Sequence, residues 1–80
     1  MSELKRPYPV IVTWVDIVGT NDWTEAHNVT IEPVEQWGIL IYRDRDQIKL
    51  AHSMMGKKWY GITAIPTGCV KEIRRLSWKG

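Results

Sequence analysis

Two apolar runs, Trp37-Gly38-Ile39-Leu40-Ile41-Tyr42 and Gln47-Ile48-Lys49-Leu50, are separated by four charges of alternating sign, Arg43-Asp44-Arg45-Asp46. Runs this short, rich in β-branched and aromatic residues and bounded by a polar cluster, predict two strands joined as a β-hairpin with a charged tip. The hairpin fixes the architecture as mainly β. It also brings two arginines, two aspartates and Gln47 to one place.

The rest of the chain supplies further strands. Pro7-Tyr8-Pro9 cannot enter a helix, and the β-branched run that follows predicts a first strand from Val10 to Val18, ended by Gly19. Thr13 and Asp16 fall on opposite faces, so both faces are partly covered, as in a small barrel or an oligomer. Asn21 to His27 offers Asp22 as an N-cap with Glu25 three residues on, which predicts a helix of one or two turns packed through Trp23. A second strand runs from Val34 to Tyr42, with Gly38 marking a bulge or bend. The third spans Gln47 to Met54, with Ile48, Leu50 and His52 on one face. After a turn at Met55-Gly56-Lys57-Lys58, a fourth strand covers Trp59 to Ile65. Pro66-Thr67-Gly68 turns the chain into a fifth, Val70 to Trp78, anchored by Ile73 and Leu76. Trp14 and Trp37 are the expected core tryptophans. Together these segments predict a small, strongly bent five-stranded antiparallel barrel with one short helix after the first strand.

Eighty residues make one domain, 1–80, of a size that buries only about 60–65% of the unfolded surface. Stabilising help is therefore expected. A single cysteine, Cys69, excludes an internal disulfide, and with only His27 and His52 there is no set with metal-ligand spacing. Self-association is the remaining source. Five tryptophans and three tyrosines without a phenylalanine suit surfaces that are apolar at one end and wet at the other. The net charge of +2 is below that of a strongly basic nucleic-acid binder, but Lys57, Lys58, Lys71, Arg74, Arg75 and Lys79 crowd the C-terminal part. No apolar run approaches a membrane span and Met1 to Arg6 lacks a signal-peptide core, so a cytoplasmic protein without membrane contact is expected.

Two segments resemble a known family. Gly38-x-Leu40-x-x-x-Asp44-x-x-Gln47-Ile48-x-Leu50 is similar to the first Sm motif, and Ile65-Pro66-Thr67-Gly68-Cys69-Val70-Lys71-Glu72-Ile73 has the apolar spacing of the second. The whole chain also resembles a group of short bacteriophage proteins, of cyanophage type, for which an Sm-like fold is implied. The resemblance implies a homo-oligomeric ring in which the fourth strand of one subunit pairs with the fifth of the next, an answer to the edge-strand problem. It further implies a nucleic-acid site on the loop between strands two and three and on the turn between strands four and five. Here Gln47 stands near the place of the family's base-reading Asn, and Pro66-Thr67 replaces Arg-Gly.

The expected nucleic-acid-binding residues are Arg43, Asp44, Arg45, Gln47, Lys58, Pro66, Thr67, Gly68 and Lys71. Arg43, Arg45, Lys58 and Lys71 suit phosphates, and Gln47 and Thr67 suit polar readout of a single strand of RNA or DNA. Alternating charges at a hairpin tip also simply neutralise one another, and Pro and Gly also simply make turns. Catalysis is not expected. Glu25 and His27 would diverge on a helix, and a lone cysteine after a turn glycine is a packing residue. The expected function is a non-catalytic, cofactor-free module binding single-stranded nucleic acid, with a role in RNA or DNA processing. The alternatives are a phage accessory module that contacts a protein through surface tryptophans, and a small-nucleotide-binding protein.

Overall fold

A computed structural model describes residues 3–16 and 23–77. Among the described residues, seven strands follow one another: β1 (Glu3–Val15), β2 (Pro33–Arg43), β3 (Gln47–Ala51), β4 (Ser53–Met55), β5 (Lys58–Tyr60), β6 (Thr63–Pro66) and β7 (Val70–Arg75). Five of them make one antiparallel sheet in the order β6-β3-β2-β1-β7, and β4 and β5 form a separate two-stranded ribbon. The expected third strand breaks at His52 and the expected fourth at Gly61-Ile62. Gly61 adopts φ +70°, a region that glycine enters without steric cost. The His52 N–H donates to the Tyr60 carbonyl at 3.0 Å and keeps the ribbon attached to the sheet.

The sheet is strongly curled but open, which corrects the expected closed barrel. Breaking the fourth strand leaves only Thr63–Pro66 against β3, and the other half is diverted into the ribbon. The expected helix is corrected as well. Asn21 and Asp22 lie outside the described residues, Glu25 is extended, and only a single 3₁₀ turn forms at Ala26–Asn28. Trp23, its intended packing residue, is fully exposed. Ala26 is the one apolar residue a helical turn from Trp23, and its methyl group gives a helix there too small a face to bury.

Register explains the core. Tyr8 faces Leu40, Leu40 faces Leu50, Ile48 faces Ile65 and Val12 faces Ile73, so one side of the sheet carries the main apolar set, while Ile11 is buried on the other. Val10, Val12, Leu40, Ile48, Leu50 and Ile65 are each at most 1% exposed, with Trp14 and Ile73 packed at the rim. Among the described residues, no polar or charged side chain is buried. Trp14 is in phase with Val10 and Val12, and its indole N–H donates to Gln36 Oε1 at 3.2 Å. Trp37 is out of phase with Leu40; it faces Ile11 on the opposite side and is 65% exposed, so it is not a core residue.

Irregularities shape the curl. Ile41 is an extra residue between the Leu40–Leu50 and Tyr42–Lys49 pairs, a bulge that turns Tyr42 to the outer face beside Lys49. Lys71 is likewise unpaired between the Thr13–Glu72 and Trp14–Val70 pairs. The β1 strand starts seven residues earlier than expected, and its pairing with β2 is irregular between Glu3 and Tyr8, near Pro7. The radius of gyration is 15.3 Å, against about 12 Å for a compact 80-residue domain, and the chain measures 49 × 27 × 21 Å.

Gly38 marks a close approach. A Cβ there would meet Leu50 Cβ at 3.1 Å and the Ala51 carbonyl at 3.2 Å, and the latter is backbone. Gly38→Val is expected to lower unfolding free energy by about 1–3 kcal/mol in urea titrations. Gly68→Ala, which points into open space, should stay within about 0.5 kcal/mol of the parent.

Candidate nucleic-acid interface

The loop between β2 and β3 is built around one carboxylate. Asp44 Oδ1 accepts the Asp46 N–H at 2.7 Å and the Gln47 N–H at 2.9 Å, an Asx-type turn, while Oδ2 accepts the Tyr42 hydroxyl at 2.8 Å. The Asp44 N–H donates to the Gln47 carbonyl at 2.9 Å and closes the loop. The Tyr42 hydroxyl bond, then the Asp46 and Gln47 amides, hold the Asp44 carboxyl below its ordinary value of 3.8, with further help from the Lys49 charge. Lys49 Nζ sits 4.3 Å above the Tyr42 ring and braces the same corner.

With Asp44 occupied by the loop itself, Arg43 and Arg45 project into solvent. Arg45 Nε lies 3.7 Å from Asp46 Oδ1, but both side chains are more than three-quarters exposed. Such a pair contributes little and leaves the guanidinium able to exchange partners. The second segment comes alongside through backbone. Gln47 faces Pro66 across the β3–β6 pair, and the Thr67 N–H donates to the Asp46 carbonyl at 2.9 Å. Thr67–Cys69 is a 3₁₀ turn, after which Cys69 and Val70 pack against the core.

Arg43, Asp44, Arg45 and Gln47 are therefore joined to Pro66, Thr67 and Gly68 as one surface. Lys71 follows the turn by two residues, exposed at the β7 irregularity. Lys58 belongs to another element, opposite Met55 in the ribbon. Sequence reasoning missed Tyr42 and Lys49 as organisers of the loop. The signal available was the position of Tyr42 two residues before Asp44, on the same side of an extended chain.

Other chemistry is sparse. His27 Nδ1 lies 3.5 Å from Glu25 Oε2, closer than expected because the chain is extended at Glu25, yet both side chains are at least 75% exposed. His52 lies against Gly61, while Cys69 packs on the core. Among the described residues, no cluster of three or more His, Cys, Asp or Glu could hold a metal, and no helix is long and apolar enough to cross a membrane. Grooves also open at the surface of the described residues. One of about 350 Å³ includes Trp37, Ile39, His52 and Leu76. Another, of about 220 Å³, includes Tyr42, Lys49, Trp59 and Ile62. No family model matches this chain, and no curated protein and no solved structure matches it.

The lowered Asp44 pKa has a definite sign. A carboxyl that is more acidic folded than unfolded stabilises the fold fully above its unfolded value, and that contribution fades as pH falls through the folded value. Urea midpoints of the parent and of Asp44→Asn should therefore run parallel from neutrality down to about pH 4. Below that the parent should lose additional stability that the variant, already lacking the charge, does not.

Proposed function

We propose that this chain is a non-catalytic module that binds single-stranded nucleic acid, RNA in the first instance, as a homo-oligomer. The contact surface is the loop 43–47 together with the turn 66–69 and Lys71. The observation that carries this reading is the Thr67 to Asp46 backbone bond, which fixes a polar turn beside a loop whose two arginines are solvent-exposed and within reach of phosphates. Gln47 and Thr67 supply neutral donors and acceptors between those cations, the mixture that single-strand recognition uses.

Self-association is supported by the edges. The open sheet ends in β6 on one side and β7 on the other. Unpaired edges are templates for a further strand, and adding β7 of one copy to β6 of another leaves neither exposed. A heterologous contact of this kind closes into a ring when the rotation permits. That is the arrangement the Sm-like resemblance implies. The extended radius of gyration and the exposure of Met54, Met55, Tyr60 and Ile62 point the same way. A second reading, a protein-contacting module, is favoured by Trp37, which stands 65% exposed at the rim of the larger groove.

Anisotropy titration of labelled oligo-U, oligo-A and random single-stranded DNA at two salt concentrations, with oligomer mass measured on the same sample, separates the two. The expected result is salt-sensitive binding by a discrete oligomer. Arg45→Ala with Lys71→Ala should weaken binding and lower the salt slope by about 1.4 without changing the oligomer mass. Salt-insensitive capture of a protein partner, lost on Trp37→Ala, would replace this reading with the second.

A further inference from the structure

Residues 47–71 contain no Asp or Glu and carry Lys49, Lys57, Lys58 and Lys71. The β4–β5 ribbon lies inside that stretch and projects as its own small sheet, tipped by the Gly56-Lys57 turn with Gly56 at φ +62°. Met54 faces Trp59 across the ribbon, and Met55 faces Lys58. Trp59 is half-buried because it turns back toward the body, where it shares the smaller groove with Tyr42 and Lys49. Tyr42 is the residue whose hydroxyl holds Asp44. The groove therefore begins at the base of the Arg43–Gln47 loop and ends at the ribbon. Glu3 is the acidic residue on its wall.

We propose that a single strand bound at the loop continues along the Tyr42–Lys49–Trp59 groove onto the ribbon, where Lys57 and Lys58 take its phosphates. This inference rests on the nucleic-acid reading above. Aromatic walls with interspersed cations, here with Glu3 as the single acidic lining residue, are the components of a sequence-tolerant single-strand track. A lipid surface is the weaker fit, because the two lysines stand at the turn itself. An inserting hairpin leads with its apolar side chains and keeps its cations behind them.

The test uses the whole chain and two oligouridylates, about 5 and about 12 nucleotides long, within the span of known single-strand site sizes. Affinity is measured over a salt series. The parent should bind the longer strand more tightly. Lys57→Ala with Lys58→Ala should remove that gain and lower the salt slope for the longer strand by about 1.4. Lys57→Arg with Lys58→Arg should restore both. If the gain with length survives the alanine substitutions, it arises from loops of neighbouring subunits and the inference is wrong. If the parent binds neither strand, the loop reading fails as well. Lysine-dependent binding to phosphatidylserine–phosphatidylcholine vesicles, with the length gain on RNA unaltered by the substitutions, would assign the ribbon to lipid and overturn the proposal.

Discussion

Everything in this small protein depends on curling one sheet tightly enough for its concave face to enclose its own side chains. Among the described residues, no second large sheet or long helix packs on it. Val10, Val12, Leu40, Ile48, Leu50 and Ile65 exclude water only because β3 folds close over β2, and it does so where Gly38 leaves room for Leu50 and the Ala51 carbonyl. The extra residues Ile41 and Lys71 add local twist on either side of the central β1–β2 pair. The curvature that completes the core also stops short of joining β6 to β7, so the element that stabilises the fold creates the edges through which copies can associate.

The same curl organises the candidate interface. Because β3 pairs with β2 on one side and β6 on the other, the loop that enters it and the turn that leaves β6 emerge at the same end of the sheet. Asp44 then fixes the loop with three accepted hydrogen bonds, and Asp46 ties it to the turn through a backbone carbonyl. The Asp44 carboxylate thus serves the scaffold, whereas that of Asp46 stays exposed beside Arg45. Arg43 and Arg45 both remain at the solvent-facing surface of the tip.

Much of this architecture is legible in the sequence. The alternation of Ile48 and Leu50 with Gln47 and Lys49 predicts the core face of β3, and the charged tip predicts the hairpin turn, whereas Val10-Ile11-Val12 is apolar at both parities and selects no face. The phase of Trp37 was not legible, because Trp37 to Tyr42 is apolar at both parities and the Ile41 bulge has no local mark. The break at His52 was hidden by an alternation that continues through it. That break is what separates Lys58 from the loop residues with which it was grouped. The capping pattern around Asp22 is not sufficient because a cap cannot sustain a helix whose apolar face is only Trp23 and Ala26. Proximity of Gln47 to Pro66 followed only from strand pairing, which the resemblance suggested and periodicity alone could not.

The absence of any buried polar side chain among the described residues bears on how such a sequence can diverge. With no internal hydrogen-bond network to preserve, aliphatic residues of similar volume can replace one another in the core with modest loss. Positions that set backbone path, such as Gly38 and Asp44, tolerate far less. Over time the identities of the core residues can turn over while the curve and the loop persist. Two descendants of one ancestor could then share a shape and a binding edge while retaining little sequence in common.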